Sequence, residues 1–338
     1  MTYSAFDYQL PPERIAQRPC HPQHAAKLLL LDRISSEIKE STFSDLCNFL
    51  NPNDLLVFND TRVIPARLFG KRGNLQVEVL LLKDLGNGSW EAIGRPLKKL
   101  KQNDIIEFSN NLSAKYISRT KEDGLLLEFL ENGKPATKDK ILETGLMPIP
   151  PYIREGRSDQ QDLIDYQTNF AKYEGSIAAP TASLHFSEEL IVKIKEKGCE
   201  LAFLTLHVGL SSIREVEPNK APGGERCLVS SDLLSQIEKT KAKGGRVIAV
   251  GTTVVRALES AALQNINDRE IETELFIQPG FEFKLVDAII TNFHVPGSTH
   301  LLLVEAFIKN REKLAASYDF AMRNEFRFLS YGDGMFIL

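Results

Sequence analysis

Four short apolar runs in the sequence are each followed at once by compact polar residues. After residues 288–290 come Thr291, Asn292 and His294, which carry a hydroxyl, an amide and an imidazole. We call the polar residues that follow an apolar run the exit of that run. The exits of the other three runs are Asn59, Asp60, Thr61 and Arg62 after 54–57; His207 after 201–206; and Gly251, Thr252 and Thr253 after 246–250. Carboxylates and imidazoles act as general acids and bases, so these residues are candidates for proton transfer.

The apolar runs are short, rich in branched side chains and bounded by polar residues, which is typical of buried strands in an α/β protein. In an open sheet of such a protein, ligands bind outside the carboxyl ends of the strands. The four exits therefore predict a single site assembled from four strand ends. For any one exit the alternative is ordinary turn and helix-cap chemistry, because Gly, Asn, Asp and Thr are common there.

A loop of small residues, GSIAAPTASLHF at 175–186, is a second candidate for ligand contact. Glycine, alanine and serine let a ligand approach the backbone closely. Pro180 and Thr181 shape this loop. His185, near its end, is either a base or ligand contact or, like many single histidines, a structural residue.

Between residues 67 and 146 the pattern changes to short apolar runs separated by glycine-rich turns. Five or six short strands joined in this way predict a small β-barrel or sandwich. We therefore expect a main α/β domain with a parallel or mixed sheet at 1–66 and 147–338, interrupted by an inserted all-β barrel domain at 67–146. Within the main domain, the Pro279-Gly280 turn predicts a hairpin between 274–277 and 283–286.

The densest positive run of the chain, RPLKKLK at 95–101, lies inside the predicted barrel. Its cations are Arg95, Lys98, Lys99 and Lys101. One interpretation is a contact with nucleic-acid phosphates. The alternative is a solvated hairpin without a binding role.

Composition and missing motifs exclude several classes of protein. The net charge of -4 means that any contact with nucleic acid depends on a local basic patch. The 4 cysteines are scattered without CxxC spacing, and HExxH, GxSxG, GxGxxG and P-loop motifs are absent, so we expect no metal site. No signal-like segment or long apolar run occurs, which predicts a cytoplasmic protein without a membrane partner.

Eight segments in order together resemble the S-adenosylmethionine:tRNA ribosyltransferase-isomerase family of queuosine biosynthesis. They cover almost the whole chain: FNDTRVIPARL (58–68), GRPLKKLK (94–101), MPIPPYIR (147–154), DYQTNFA (165–171), GSIAAPTASLHF (175–186), RVIAVGTTVVRALESA (246–261), VDAIITNFHVPGST (286–299) and FLSYGDGMFI (328–337). The resemblance implies an α/β domain interrupted by a β-barrel, in agreement with the insertion predicted from the pattern.

The resemblance also implies a reaction. Members of the family transfer and isomerise the ribosyl group of S-adenosylmethionine onto 7-aminomethyl-7-deazaguanine at the tRNA wobble position, giving epoxyqueuosine, adenine and methionine. S-adenosylmethionine is then consumed as a co-substrate, and no cofactor is expected. The implied partners are S-adenosylmethionine and a tRNA with a GUN anticodon carrying the aminomethyl-deazaguanine, and we expect a monomer.

Under this resemblance each polar exit acquires a role. We expect Asp60, His185 and His207 to be catalytic, because a sulfonium acidifies the neighbouring C–H and a placed carboxylate or imidazole suits its removal. The expected substrate-binding residues are Asn59, Thr61, Arg62, Pro180, Thr181, Gly251, Thr252, Thr253, Arg256, Asn292, His294, Tyr331 and Asp333. Arg95, Lys98, Lys99 and Lys101 are expected to bind tRNA. For Arg256 a structural salt bridge is the alternative.

One region departs from the family pattern. After His207-Val208-Gly209 the chain reads Leu210-Ser211-Ser212-Ile213 where the family usually has a glycine-threonine-phenylalanine turn, and Glu225–Ser231 lacks the family's two histidines and glutamate. Gly297 replaces a residue that is usually charged. Two alternatives follow: a divergent relative that uses a different acceptor nucleoside, and a non-catalytic tRNA-binding relative.

Overall fold

The computed structural model describes residues 6–120, 124–209, 223–264 and 268–338 of the chain. The chain forms two compact units. Unit 1 consists of Met1–Arg62, Gln167–Tyr173 and Ala179–Leu338, and unit 2 consists of Val63–Tyr166 and Glu174–Ala178. Each unit has a β-sheet of its own.

Strands and helices are numbered along the described chain. The strands are β1 (Lys27–Leu31), β2 (Ile38–Thr42), β3 (Leu55–Asn59), β4 (Thr61–Val63), β5 (Arg67–Arg72), β6 (Leu75–Gly86), β7 (Ser89–Arg95), β8 (Ile105–Glu107), β9 (Leu112–Arg119), β10 (Leu125–Glu131), β11 (Lys134–Pro135), β12 (Tyr173–Ser176), β13 (Glu200–Leu206), β14 (Glu225–Leu228), β15 (Val247–Val250), β16 (Ile271–Thr273), β17 (Ala288–Asn292) and β18 (Gly334–Ile337). The α-helices are α1 (Lys138–Thr144), α2 (Asp162–Asp165), α3 (Glu188–Glu196), α4 (Ser231–Ala242), α5 (Thr252–Gln264), α6 (Thr299–Ile308) and α7 (Arg311–Arg323).

Unit 1 contains a nine-stranded mixed sheet in the order β16-β14-β13-β3-β15-β17-β18-β1-β2. Its centre is parallel, because β13, β3, β15 and β17 run in the same direction. β13 is buried toward its carboxyl end, and β3, β15 and β17 are buried at every position. Burial on both faces explains why their sequences read as continuous apolar runs without alternation.

Two helices of unit 1 begin at serine caps that the sequence supplies. Ser187 accepts a hydrogen bond from the backbone N–H of Leu190 at the start of α3, and Ser230 accepts one from Leu233 at the start of α4. α3 then leads into β13, and α4 leads into β15, so each helix returns the chain to the sheet. This βαβ alternation is what makes the central strands parallel.

The core of unit 1 contains a cluster of aromatic rings beneath the loop at 180–186. Phe58 on β3 meets Phe186 edge to face, with ring centroids 4.8 Å apart. Phe43 packs against Phe186 and stacks on His185. All three phenylalanines are fully buried, so the loop is fixed from below by the core.

Unit 2 is built around a closed barrel of six antiparallel strands. The sheet order is β11-β10-β7-β6-β5-β8-β9, and β10 also pairs with β9, which closes the ring. Alternate residues of β9 and β10 are buried, as expected for strands with one face on an interior. The prediction of a main α/β domain with a mixed sheet and an inserted all-β barrel is confirmed.

The unit boundaries differ from the predicted range of 67–146. Unit 2 also takes in 63–66, 147–166 and 174–178. Arg67 exchanges two backbone hydrogen bonds with Leu146, at 3.1 and 2.7 Å, and its guanidinium donates to the carbonyl of Gly156 at 2.6 Å. These bonds hold the proline-rich segment at 147–154 on the barrel, whereas the predicted bounds assigned it to the main domain.

Across the described ranges, no helix combines the length and the apolar composition that a membrane crossing requires.

Candidate active site

The four polar exits lie side by side in unit 1. β13, β3, β15 and β17 are consecutive neighbours in the sheet and all parallel, so their carboxyl ends share one edge. The prediction that the four exits belong to one edge is confirmed. The carboxyl edge of a parallel sheet is where α/β proteins bind ligands.

Asn59 joins two strand exits through its amide. Its carbonyl oxygen accepts hydrogen bonds from the backbone N–H groups of Thr61 (3.2 Å) and Leu206 (3.0 Å). Its amide nitrogen donates to the carbonyl of Leu206 (2.9 Å) and to Thr253 Oγ1 (3.5 Å). The side chain is fully buried with its hydrogen-bonding positions occupied, so it positions the strand ends and leaves nothing for the expected substrate contact.

Asp60 is a nearly buried carboxylate at the same edge. Its Oδ1 accepts a hydrogen bond of 2.7 Å from the hydroxyl of Thr205, and no partner of Oδ2 is found among the described residues. Burial raises the pKa of Asp60 above its usual value, while Thr205 and the nearby ammonium of Lys172 act in the opposite direction. A carboxylate with a raised pKa and an available oxygen is suited to accept a proton.

Thr61 and His207 connect the exits of β3 and β13. Thr61 Oγ1 and His207 Nδ1 are 2.9 Å apart, and Thr61 is fully buried. Burial lowers the pKa of His207, and the charge of Arg226 lowers it further. His207 is therefore a neutral imidazole near neutral pH. Arg62, the next residue after Thr61, is exposed.

The small-residue loop approaches the exit of β17. Pro180 precedes a short 3-10 helix, Thr181–His185. Thr181 Oγ1 donates to Asn292 Oδ1 at 2.9 Å, and the amide nitrogen of Asn292 lies 3.4 Å from His185 Nε2. Thr181, His185 and Asn292 come from two separate segments of the sequence, and the structure brings them together.

His185 is a poor candidate for a general base. Its ring stacks on Phe43 with centroids 4.1 Å apart, and burial together with the charge of Arg327 lowers its pKa to about 3. Only 5% of its surface is exposed. The structure favours the structural role that the sequence left open, although the ring also contacts Asn292.

Gly251 makes the turn from β15 into α5. Its φ is +99°, which L-residues with a side chain rarely adopt, and its N–H donates to the carbonyl of Ile290 on β17 at 2.8 Å. Thr252 and Thr253 follow as the first residues of α5. Thr252 is buried and Thr253 is partly exposed.

Arg256 does not present its guanidinium to a ligand. It forms a buried ion pair with Glu225 and donates to the backbone carbonyls of Leu275 (3.1 Å) and Thr273 (3.3 Å). Only 8% of Arg256 and 3% of Glu225 are exposed. The expectation that Arg256 binds a carboxylate or phosphate of the substrate is therefore corrected to the alternative, a structural salt bridge.

His294 is fixed at the exit of β17 from several sides. Its backbone N–H donates to the hydroxyl of Tyr318 (3.0 Å), and its carbonyl accepts from that of Tyr8 (2.6 Å). Its Nε2 lies 2.9 Å from Thr291 Oγ1. The ring stacks on His300 of α6, with centroids 5.1 Å apart and 11° between the planes.

Tyr331 and Asp333 belong to a buried tail beside this exit. Asp333 Oδ2 accepts from the backbone N–H of Arg327 (2.6 Å), and Oδ1 accepts from that of Lys27 (3.0 Å). Tyr331 is 1% exposed and Asp333 is 2% exposed. The carboxylate therefore ties the tail to β1 and is not presented to a substrate, contrary to the role expected for it.

The predicted tRNA-binding residues lie in unit 2. Arg95, Lys98, Lys99 and Lys101 are all exposed, and Leu97–Lys99 form a short 3-10 helix. Arg72 supports this segment by donating to the carbonyl of Lys99 (2.8 Å) and pairing with Asp104 (2.9 Å). The four cations thus remain available to solvent.

A protein-family model described as "Queuosine biosynthesis protein" matches residues 3–337. The chain belongs to this family. Relatives named S-adenosylmethionine:tRNA ribosyltransferase-isomerase, from Halothermothrix orenii and Finegoldia magna, are each 43% identical over all of this chain and over 100% and 98% of their own lengths. A crystal structure of the S-adenosylmethionine tRNA ribosyltransferase from Thermotoga maritima is 34% identical, with a TM-score of 0.56 over 98% of this chain and 99% of its own.

In this member of the queuosine biosynthesis family, three contacts of the site are not apparent from the sequence. They are Thr205 beside Asp60, Glu225 beside Arg256, and His300 against His294. Thr205 and Glu225 depend on pairing between strands, which local sequence does not reveal. His300, however, lies in the first turn of α6, close in sequence to the exit that carries His294, and that proximity was a usable signal.

The departures from the family pattern are only partly visible. Leu210–Ile213 lie outside the described residues. Glu225, the first residue of the run that lacks the family's two histidines and glutamate, is a buried carboxylate in contact with Arg256. Over the described ranges, no group of three or more His, Cys, Asp or Glu side chains is placed to hold a metal ion.

Proposed function

We propose that this protein is an S-adenosylmethionine-dependent tRNA ribosyltransferase-isomerase of queuosine biosynthesis. It moves the ribosyl group of S-adenosylmethionine onto 7-aminomethyl-7-deazaguanine in tRNA, which gives epoxyqueuosine with release of adenine and methionine. The observation that carries this proposal is the full-length similarity to relatives bearing that name, at 43% identity. The cluster of polar strand exits supports it, because it places acid–base groups at one edge of the sheet.

Asp60 is the residue best suited to remove the proton beside the sulfonium. His185 has a pKa of about 3, and the pKa of His207 is also lowered, so both imidazoles are weak bases. The pKa of Asp60 is shifted upward, toward the working pH, which strengthens it as a base. Its neighbours Thr61 and His207 orient this part of the site through their mutual contact.

The decisive experiment is a nucleoside analysis by mass spectrometry. Purified protein is incubated with S-adenosylmethionine and tRNA carrying the aminomethyl-deazaguanine, and the tRNA is then digested. We expect epoxyqueuosine, with adenine and methionine in equal amounts. Absence of the modified nucleoside and of free adenine, with tRNA still bound, would favour the non-catalytic tRNA-binding relative.

A second function, transfer to another acceptor nucleoside, rests on the departures at 210–213 and 225–231. In that case the same incubation releases adenine but leaves the aminomethyl-deazaguanine unmodified. Total tRNA from cells that lack the wobble modification would then serve as the acceptor pool, and the mass of the new nucleoside would identify the acceptor.

The role of Asp60 is tested by Asp60→Asn, which keeps the shape and removes the base. We expect turnover to fall by about 10²-fold or more, the usual contribution of a general base, with little change in the binding of either substrate. Asp84→Asn, at an exposed position of β6, is the matched control. Near-normal turnover of Asp60→Asn would remove Asp60 from the mechanism.

The finer features of the proposal follow from the same reaction. The tRNA partner has a GUN anticodon, S-adenosylmethionine is consumed and no resident cofactor takes part, and the enzyme acts as a cytoplasmic monomer. Comparing tRNAs with GUN and other anticodons tests the first feature, and analytical ultracentrifugation tests the last.

A further inference from the structure

Within the described part of the chain, the stacked rings of His294 and His300 have nitrogens without a hydrogen-bond partner. His294 uses Nε2 for Thr291, and no partner of its Nδ1 is found among the described residues. For His300, the described part of the chain provides no hydrogen-bond partner to either ring nitrogen. Both residues keep part of their surface accessible. The unpartnered nitrogens can therefore be reached from outside the protein, and a ligand or solvent is expected to bind them.

Three features keep His300 uncharged. Burial and the nearby charge of Arg256 lower its pKa to about 4. Its place in the first turn of α6 adds the positive end of the helix dipole, which opposes protonation. His294 also has a lowered pKa, caused by burial and by His300. Near neutral pH each ring therefore carries one N–H donor and one acceptor nitrogen.

An uncharged histidine pair binds some chemical groups of a substrate better than others. Carboxylates and phosphates are held best by cationic donors, which the pair does not supply. A base edge or a ribose hydroxyl both donates and accepts hydrogen bonds, as neutral imidazoles do. The pair also lies at the exit of β17, on the same edge as Asp60.

We propose that His300, together with His294, binds the nucleoside portion of a substrate through its ring nitrogens. The proposal rests on the proposed function, because that reaction brings two nucleosides to the site: the adenosine of S-adenosylmethionine and the deazaguanosine of tRNA. His300 contacts one of them directly and holds the ring of His294 in place for the same nucleoside.

The test is direct binding, which does not depend on turnover. His300→Phe keeps a flat ring for stacking without the nitrogens, His300→Leu removes the ring, and His300→Gln keeps a donor and an acceptor. Dissociation constants are measured by calorimetry for S-adenosylmethionine and for adenosine, and by fluorescence anisotropy for the tRNA. His21→Phe, at an exposed histidine of unit 1, is the control.

We expect His300→Phe and His300→Leu to weaken one of the two substrates about tenfold, the equivalent of one hydrogen bond of ordinary strength. His300→Gln should recover affinity to within about threefold of wild type, a rescue that a purely structural role would not produce. Weaker S-adenosylmethionine and adenosine binding would assign the adenosine, and weaker tRNA binding alone would assign the deazaguanosine.

Unchanged affinity of both nitrogen-free variants for both substrates would overturn the inference. So would an equal loss in all three variants, because the glutamine would then give no rescue. Wild-type protein that binds both substrates without releasing adenine would contradict the proposed reaction and leave this test of His300 intact.

Discussion

The hydroxyl of Thr205 affects the pH range over which the carboxylate of Asp60 is ionised. Burial pushes its pKa upward, and the hydrogen bond from Thr205 opposes that shift. Removing the hydroxyl should therefore raise the pKa further. A base is active only when deprotonated, so activity is lost as the pH falls through this pKa.

We accordingly predict that Thr205→Val moves the acidic limb of the kcat/KM profile to higher pH. The plateau at high pH should change little, because the carboxylate is ionised there in both proteins. Thr205→Ser, which keeps the hydroxyl, should retain the wild-type profile. An acidic limb that stays in place in Thr205→Val would show that Asp60 does not control the profile.

The buried ion pair of Glu225 and Arg256 should stabilise the fold and should not bind substrate. Glu225→Gln should lower the free energy of unfolding by about 3 kcal/mol, because it leaves a buried guanidinium uncompensated. Urea denaturation measures this loss. Arg226→Gln, at the neighbouring and partly exposed position on β14, is the control and should cost less than about 0.5 kcal/mol.

At the scale of elements, the site depends on how strands end and helices begin. The turn at Gly251 joins β15 to α5 and also donates to the backbone of β17. A Cβ there would meet no atom closer than 3.6 Å, so the cost of a side chain comes from the backbone conformation alone.

Gly251→Ala should therefore destabilise the protein by about 1–2 kcal/mol, the usual cost of a residue in a sparsely populated backbone region. Gly280→Ala is a matched control, because Gly280 has a φ of +96° and open space around it. Thermal melting should show similar losses in both. Only Gly251→Ala should also reduce turnover, since Thr252 and Thr253 follow it, and equal activity of both variants would contradict a role for this turn.

The sequence predicted elements well where the pattern is local. Buried apolar runs identified the central strands, and turn residues identified their exits. The hairpin expected around Pro279-Gly280 was wrong, because no strand forms at 274–277 or 283–286. The fully buried carboxylate of Glu259, on α5, instead accepts the backbone N–H groups of Lys284, Leu285 and Val286.

The same limit applies to the site. Residue types and the predicted strand ends were sufficient to assign Asp60, His207, Gly251 and Asn292 to one site, and the strand order of the structure places them on one edge. The sequence did not show which of the polar groups already have a hydrogen-bond or ion-pair partner within the protein. Arg256 and Asp333 have partners distant in sequence, and only the fold shows that their charges are already used.

At the scale of the whole molecule, the residues proposed to act on S-adenosylmethionine and the residues proposed to contact tRNA belong to different units. The candidate acid–base residues belong to unit 1, and the cationic run belongs to unit 2. With a net charge of -4, the protein has no general attraction for a polyanion, so tRNA affinity should depend strongly on that run.

We predict that replacing Lys98, Lys99 and Lys101 together by glutamine weakens tRNA binding in a salt-dependent way. Each phosphate contact contributes about 0.7–0.9 to the slope of log K against log salt, so the slope should become shallower by about two to three. Affinity for S-adenosylmethionine should not change. The control replaces Lys193, Lys195 and Lys197, which are equally exposed and lie at the end of α3 that precedes β13, away from the strand exits. An unchanged slope in the first variant, or the same change in the control, would show that the cationic run does not contact the tRNA backbone.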